Sequence, residues 1–396
     1  MLLWLQAMFW NELKKVMADR NFIYLDNAAT TIPDREVVAL YNEIELNHFG
    51  NSGSIHKLGI DSLNYLNKAR QLILNTFGLK GYKVYFTASS TEANNLAIKG
   101  YARKYSLRGK HLITSNIEHP SVLECFKQLE KEGFEVTYLK VNEEGIVTPE
   151  QLEAAIRKDT ILVSIMGTNN EIGSMNPIKD LAAVVHKNPK IAFHVDTTQD
   201  IGKRNLNYSD IDMFVVSGHK IHGLKGSGAL IAKQSLSFEP VISGGGQEDG
   251  YRSGTVSVAL ACSLALAVKK CYPIDMEAAL DRQEVLFEEM PKLPGISINS
   301  SGNSSPFIFN FSLTEKKASV VVEALSNKNI FVSSVSACHS KGEAGSYVVA
   351  ALGKTERISH NTIRVSLSRD TSVTQVEIFI MELRNILETI KWYTII

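Results

Sequence analysis

Short apolar runs alternate with polar clusters from the first strand candidate at 22–25 onward. Seven further runs, at 82–86, 111–115, 136–139, 161–165, 191–195, 211–216 and 228–232, are too short for helices. They are built largely from Val, Ile, Leu, Phe and Tyr, the residues of buried strands. Most are joined by stretches of helical character. The pattern therefore predicts an α/β fold with a seven-stranded, mostly parallel sheet and helices on both faces. Polar clusters follow the runs with regularity: Thr87-Ala88-Ser89-Ser90-Thr91-Glu92, Asn116-Ile117-Glu118-His119, Asn169-Asn170-Glu171, Asp196 with Gln199 close behind, and Ser217-Gly218-His219-Lys220. Loops after parallel strands meet at one edge of a sheet, so Thr91, His119, Asn170, Asp196, Gln199 and Lys220 are predicted to converge.

The texture changes near residue 275. A long polar helix over 276–290 precedes strands near 296–298 and 307–311, a helix at 318–325, a strand at 330–332, an alternating strand at 361–368 and a last helix from 373 to about 390. With 396 residues the chain is too long for one ordinary core. This reading gives a large domain over 22–274, whose first residues can pack with the small domain, and a small α+β domain over 275–396. Residues 1–21 read as an N-terminal extension, either an amphipathic helix or sequence upstream of the true start near Met17. Its apolar opening lacks a basic flank and a cleavage site, and it is about half a membrane span.

Charge refines the picture by exclusion. The 42 basic and 42 acidic residues cancel, which argues against direct nucleic-acid binding or a membrane surface as partner. Cys125, Cys262, Cys271 and Cys338 contain no CxxC pair, so no zinc site or redox dithiol is signalled. Unpaired cysteines suit a reducing compartment, and the expected location is cytoplasmic.

The clusters carry candidate chemistry. A lysine just after a buried strand, Lys220, with an acid one strand away, Asp196, suits a carbonyl cofactor such as pyridoxal phosphate, which needs a lysine, an acid for its ring nitrogen and a phosphate cradle. Ser90 and Thr91 at a helix start offer either an anion site or a simple N-cap. Cys338 sits among small and polar residues that cannot bury it, with His339 and Lys341 able to favour its thiolate. Cys262 belongs to an apolar helical stretch and reads as core. Arg364, on the alternating strand, is either a carboxylate partner or an exposed arginine on a half-buried strand.

Taken together, the stretches Tyr24-Leu25-Asp26-Asn27-Ala28-Ala29-Thr30-Thr31, Thr91-Glu92-Ala93-Asn94-Asn95, Glu118-His119, Asn169-Asn170-Glu171-Ile172-Gly173, His194-Val195-Asp196, Ser217-Gly218-His219-Lys220, Arg252-Ser253-Gly254-Thr255 and Ser336-Ala337-Cys338 resemble the cysteine desulfurases of the class V aminotransferases. The long loop around Cys338 resembles the branch that feeds general iron–sulfur and thiolation pathways. The resemblance implies a fold-type-I pyridoxal phosphate transferase that converts L-cysteine to L-alanine. Sulfur would remain as a persulfide on Cys338 and pass to acceptor proteins for iron–sulfur cluster assembly or tRNA thiolation. It further implies Lys220 as the cofactor lysine, Asp196 on the ring nitrogen, His119 against the ring, and Asn170 and Gln199 on ring substituents. Ser90, Thr91, Ser217 and His219 would bind phosphate, with Thr255 reaching in from the other subunit of a homodimer. Arg364 would hold the substrate carboxylate, with Asn170 near the substrate. No resident metal is implied, although Cys338 could ligate an iron–sulfur cluster transiently during transfer.

Departures from the family pattern are Val335 for a usual glycine, Leu224 for a common proline, and Asn51-Ser52-Gly53-Ser54 for Asn-Pro-Ser-Ser. The alternatives are a selenocysteine lyase or another class V aminotransferase, and an idle partner protein on the same fold. Retention of Lys220, Asp196, His119 and Cys338 together argues against the idle partner.

Overall fold

A computed structural model describes residues 22–334 and 345–389 of the chain; the N-terminal extension and Cys338 lie outside the described residues. Its strands are β1 (Ile23–Tyr24), β2 (Tyr82–Thr87), β3 (His111–Ser115), β4 (Glu135–Leu139), β5 (Thr160–Ser164), β6 (Ala192–Val195), β7 (Met213–Ser217), β8 (Gly228–Lys233), β9 (Ile296–Ile298), β10 (Ile308–Leu313), β11 (Ile330–Phe331), β12 (Ser333–Ser334) and β13 (Thr362–Ser366). Seven of them form one sheet in the order β2-β8-β7-β6-β5-β3-β4. β8 pairs antiparallel with both neighbours, while β7 through β4 pair in parallel, so a single strand runs against the rest.

Alternation along the strands feeds two cores. Ile113, Val163, Phe193, Phe214 and Ile231 point to one face, against the helices Arg35–Asn47, Lys57–Thr76 and Val258–Lys270. Leu112, Leu162, Ala192, Met213 and Leu230 point to the other, against Phe126 and Leu129 of the helix Pro120–Lys131. Burial on both faces explains why these strands read as continuous apolar runs. The 20-residue helix Lys57–Thr76 is absent from the reading of the sequence, which treats 50–56 only as a polar loop.

A four-stranded sheet, β12-β13-β10-β9, packs with the helices Met276–Glu289, Ala318–Ser326 and Val373–Thr389 around a separate core that includes Phe309, Phe311, Ile363, Val365 and Phe379. β1 joins this part rather than the large sheet. It pairs in parallel with β11, and Leu25 enters the C-terminal core. Asn27 Nδ2 donates to the Ser366 carbonyl at 2.9 Å and the Ala28 N–H to Ser366 Oγ at 2.9 Å. The stretch after β1 is thereby stretched across the seam, with the C-terminal sheet on one side and the cavity described next on the other. Among the described residues, no helix is long and apolar enough to cross a membrane.

Candidate active site

The carboxyl ends of β2, β3, β5, β6 and β7 surround a cavity of about 610 Å³, within the size range of small-molecule sites. Ser90, Thr91, His119, Asn170, Asp196, Gln199, His219, Lys220 and Arg364 all line it. The structure thus brings together nine of the residues singled out in the sequence. Two others stand apart. Ser217 is buried behind the cavity with no hydrogen-bond partner for Oγ among the described residues. Thr255 lines a smaller cavity of about 140 Å³ with Thr87, Gly226 and Arg252.

Lys220 closes the short turn Gly218–Lys220 after β7. Its Nζ donates to the carbonyls of Ala28 at 2.5 Å and Ala29 at 2.8 Å. The segment after β1 therefore holds the lysine from across the seam. Asp196, just past β6, is 4 % exposed; Oδ2 accepts from Asn94 Nδ2 at 2.9 Å and Oδ1 from the Thr198 N–H at 3.0 Å.

His119 caps the helix Pro120–Lys131, with Nδ1 accepting the Ser121 N–H at 3.1 Å and lying 2.8 Å from Ser121 Oγ. Burial pulls its pKa down; nearby Asp196 opposes that effect and Lys220 adds to it. His219 is depressed to about 4 by burial and then by Lys220, Lys225 and Lys203, so it is neutral near pH 7. Glu118, fully buried, is pushed up to about 8; its Oε1 accepts from Ser115 Oγ at 2.6 Å and from the Met166 N–H at 2.9 Å.

The phosphate-cradle candidates sit where the helix beginning at Ser90 starts. The N-cap is Ser89, whose Oγ accepts from the Glu92 N–H, rather than Ser90 or Thr91. That corrects the simple capping alternative and leaves the Ser90 and Thr91 side chains beside the cavity. Gly228 allows the approach: a Cβ there would lie 2.7 Å from the Ser89 carbonyl carbon. The helical run continues through a π turn over Leu96–Gly100.

Arg364 resolves its two alternatives on burial. It is 4 % exposed on β13, donating from Nη1 to the Asn170 carbonyl and from Nη2 to Asp26 Oδ1, each at 2.9 Å. The exposed-arginine alternative is set aside, because both partners come from loops that fold over the strand. Cys262 is buried in the large core, as expected.

Four residues at the site have no role in the sequence reading, although Asn94 falls within one of its matching stretches. Asn94 and Ser121 link His119 to Asp196, Asn94 Nδ2 also donating to Ser121 Oγ at 3.0 Å. Lys203 is 7 % exposed and donates to Gln199 Oε1 at 2.6 Å, while Gln199 Nε2 donates to the Ala28 carbonyl at 3.0 Å. Tyr347 lines the cavity and donates its hydroxyl to the Glu118 carbonyl at 2.6 Å. The i,i+4 spacing of Gln199 and Lys203 was a usable signal; the other three depend on contacts between distant segments.

Comparison with known proteins agrees with this geometry. Residues 23–379 match the aminotransferase class-V family. The cysteine desulfurase IscS of Dictyoglomus turgidum is 36 % identical over 377 residues, covering 93 % of this chain and 95 % of that protein. Among solved structures, a NifS-like protein superposes with a TM-score of 0.85 at 32 % identity, covering 93 % of this chain and 100 % of the other. A structure of SspA in complex with cysteine gives 0.77 at 34 %, covering 87 % and 98 %. A sheet with one reversed strand, a lysine after β7, an acid after β6 and a match across nearly the whole described chain lead to one assignment: the chain belongs to the class-V aminotransferase family, among its cysteine desulfurases.

Proposed function

We propose that this chain uses pyridoxal phosphate to convert L-cysteine to L-alanine, leaving the sulfur as a persulfide on Cys338 for transfer to acceptor proteins in iron–sulfur cluster assembly or tRNA thiolation. The observation that carries the reading is the meeting of Lys220, Asp196 and Arg364 in one cavity. The residues present fit the cofactor. A lysine amine and a buried carboxylate face one space, and the hydroxyls of Ser90 and Thr91 stand at a helix start whose dipole favours an anion. Ser217 Oγ, which lacks a partner among the described residues, is a further donor for the phosphate.

Bound there, the cofactor supplies an electron sink that labilises the substrate Cβ–S bond. The chain's own residues do the rest. Ala28 and Ala29 hold the Lys220 amine in place through their carbonyls. Asn94 and the Thr198 N–H fix the Asp196 carboxyl group where it would face the ring nitrogen. Asn170, Gln199 and His119 line the same cavity, where Asn170 and Gln199 would meet ring substituents and His119 would lie against the ring. The Arg364 guanidinium, anchored by Asp26 and the Asn170 carbonyl, orients the substrate carboxylate.

Cys338 supplies the nucleophile. Support comes from the two described ends of its segment. Ser333 pairs with Arg364 in the C-terminal sheet, and Ser346 donates to Glu171 beside the cavity-lining Tyr347. The four residues from Ser334 to Cys338 can span at most about 14 Å of extended chain.

A homodimer in the cytoplasm completes the proposal. Leu46, Phe49, Ile55, Leu58 and Ile60 are all at least half exposed within one short stretch, more apolar surface than isolated side chains present. Thr255 lies off its own subunit's cavity, as a residue serving the other subunit would. Cys125, Cys262 and Cys271 are free thiols, in keeping with a reducing compartment. The two separate cores support the division into large and small domains near residue 275.

The test is a Cys338→Ser variant. It is expected to keep the cofactor and bind L-cysteine, yet release no alanine above background. Mass spectrometry after a cysteine pulse of the unaltered protein should place an extra sulfur on the peptide containing Cys338. Full turnover in the variant would transfer the assignment to a lyase or an aminotransferase.

A further inference from the structure

Behind the cavity, two side chains join His119 to Asp196, the two residues that flank the ring site. Asn94, fully buried on the helix that starts at Ser90, points both amide hydrogens at acceptors: Asp196 Oδ2 at 2.9 Å and Ser121 Oγ at 3.0 Å. Only this orientation is tolerable, because the flipped amide would set its carbonyl oxygen against a carboxylate. Ser121 Oγ thus accepts from Asn94, and its own hydrogen is free to go to His119 Nδ1, 2.8 Å away. The Ser121 backbone N–H donates to the same nitrogen at 3.1 Å. With two donors aimed at it, Nδ1 must be the unprotonated nitrogen of the neutral ring.

We propose that Asn94 and Ser121 are positioning residues that hold His119 as the Nε2–H tautomer and tie that choice to the carboxylate of Asp196. The direction of every hydrogen bond follows from the first. Asp196 orients Asn94, Asn94 orients the Ser121 hydroxyl, and the hydroxyl fills the basic nitrogen of His119. The ring therefore begins each turnover as a hydrogen-bond donor through Nε2, and cannot take a proton at Nδ1 while Ser121 occupies it. Its bearing on catalysis rests on the cofactor reading above; the tautomer itself does not.

The experiment uses full-length protein labelled with ¹⁵N-histidine, observed by NMR at about pH 8 with and without pyridoxal phosphate. His119 is assigned by loss of its signals in His119→Gln. In the unaltered protein, Nδ1 should show the shift of an unprotonated ring nitrogen and Nε2 that of a protonated one. Ser121→Ala leaves the backbone donor and removes the hydroxyl, and the preference for Nε2–H should fall roughly fivefold to tenfold, as expected for one lost hydrogen bond. Ser121→Thr should restore it. A protonated Nδ1 in the unaltered protein overturns the proposal, and so does an unchanged ratio in a Ser121→Ala protein with native circular dichroism. If Ser121→Ala does not fold, the unaltered protein's tautomer decides alone. Failure of the protein to take up pyridoxal phosphate would refute the cofactor reading and leave the tautomer result standing.

Discussion

Lys203→Met should make the protein more stable at neutral pH, although it deletes a hydrogen bond. Lys203 is buried, and burial first, then Lys220, lowers its pKa from 10.5 to about 7. That difference corresponds to roughly 5 kcal/mol held against the charged amine at low pH. Nearby Asp200 offsets it only in part. Methionine removes the penalty and fills similar space. It also strips the donor from Gln199 Oε1, which costs about 1–3 kcal/mol if the oxygen stays buried. The expected balance is a gain of about 2–4 kcal/mol at pH 7, read as a rise of several degrees in Tm. The pH dependence gives the sharper readout. The folded-state pKa lies below the unfolded value, so between about pH 7 and 10.5 the unfolded chain holds a proton that the native chain has released. Unaltered protein should therefore gain stability as pH rises through that window, and the variant should lack that component. Freed of Lys203, the Gln199 amide can rotate, so cofactor affinity should weaken even as stability improves. Thermal melts of both proteins between pH 7 and 10 decide the matter. A variant less stable at pH 7, with an unchanged pH slope, would mean that Lys203 is a net-favourable ion-pair partner and that the penalty has been misjudged.

Two further outcomes are expected. Lys220→Ala should be colourless after treatment with pyridoxal phosphate and borohydride, whereas the unaltered protein should retain a reduced cofactor on the Lys220 peptide, checked by mass spectrometry. Phe49→Glu, a charge placed on a side chain 70 % exposed within the apolar stretch before the helix Lys57–Thr76, should shift sedimentation from dimer to monomer. It should also lower activity without loss of fold; an active monomer of the unaltered protein would refute the dimer.

The strands and their convergence were legible because buried parallel strands leave an unbroken apolar signature and because polar loops follow their carboxyl ends. The reversed direction of β8 was not legible, since Gly228 to Lys233 look the same in either sense. The helix Lys57–Thr76 escaped because exposed Leu58, Ile60 and Leu63 blur the stripe made by Leu66, Ala69 and Ile73. Alternation on β13 placed Arg364 on one face but could not show that Asp26 and Asn170 would cover it. Asn94 and Ser121 are 27 residues apart, and each meets its partners only once the sheet brings the carboxyl ends of β2, β3 and β6 to one edge. Local pattern finds the walls of such a site more readily than the polar contacts behind them.

The stretch that clasps Lys220 has a consequence in time. Ala28 is fixed through its N–H to Ser366, 338 residues later, while its carbonyl receives the lysine amine. A ribosome adding about 5–20 residues per second needs roughly 20–70 s to travel that distance. Lys220 is made 192 residues after Ala28, so for the last roughly 7–30 s of this interval the nascent chain can present the lysine but lacks the partner strand that pins the clasp. Cofactor arriving early would meet a lysine without its full set of neighbours. Stable loading is thus a late event in the life of each chain, and truncation before β13 should leave a protein that folds in part yet holds pyridoxal phosphate poorly.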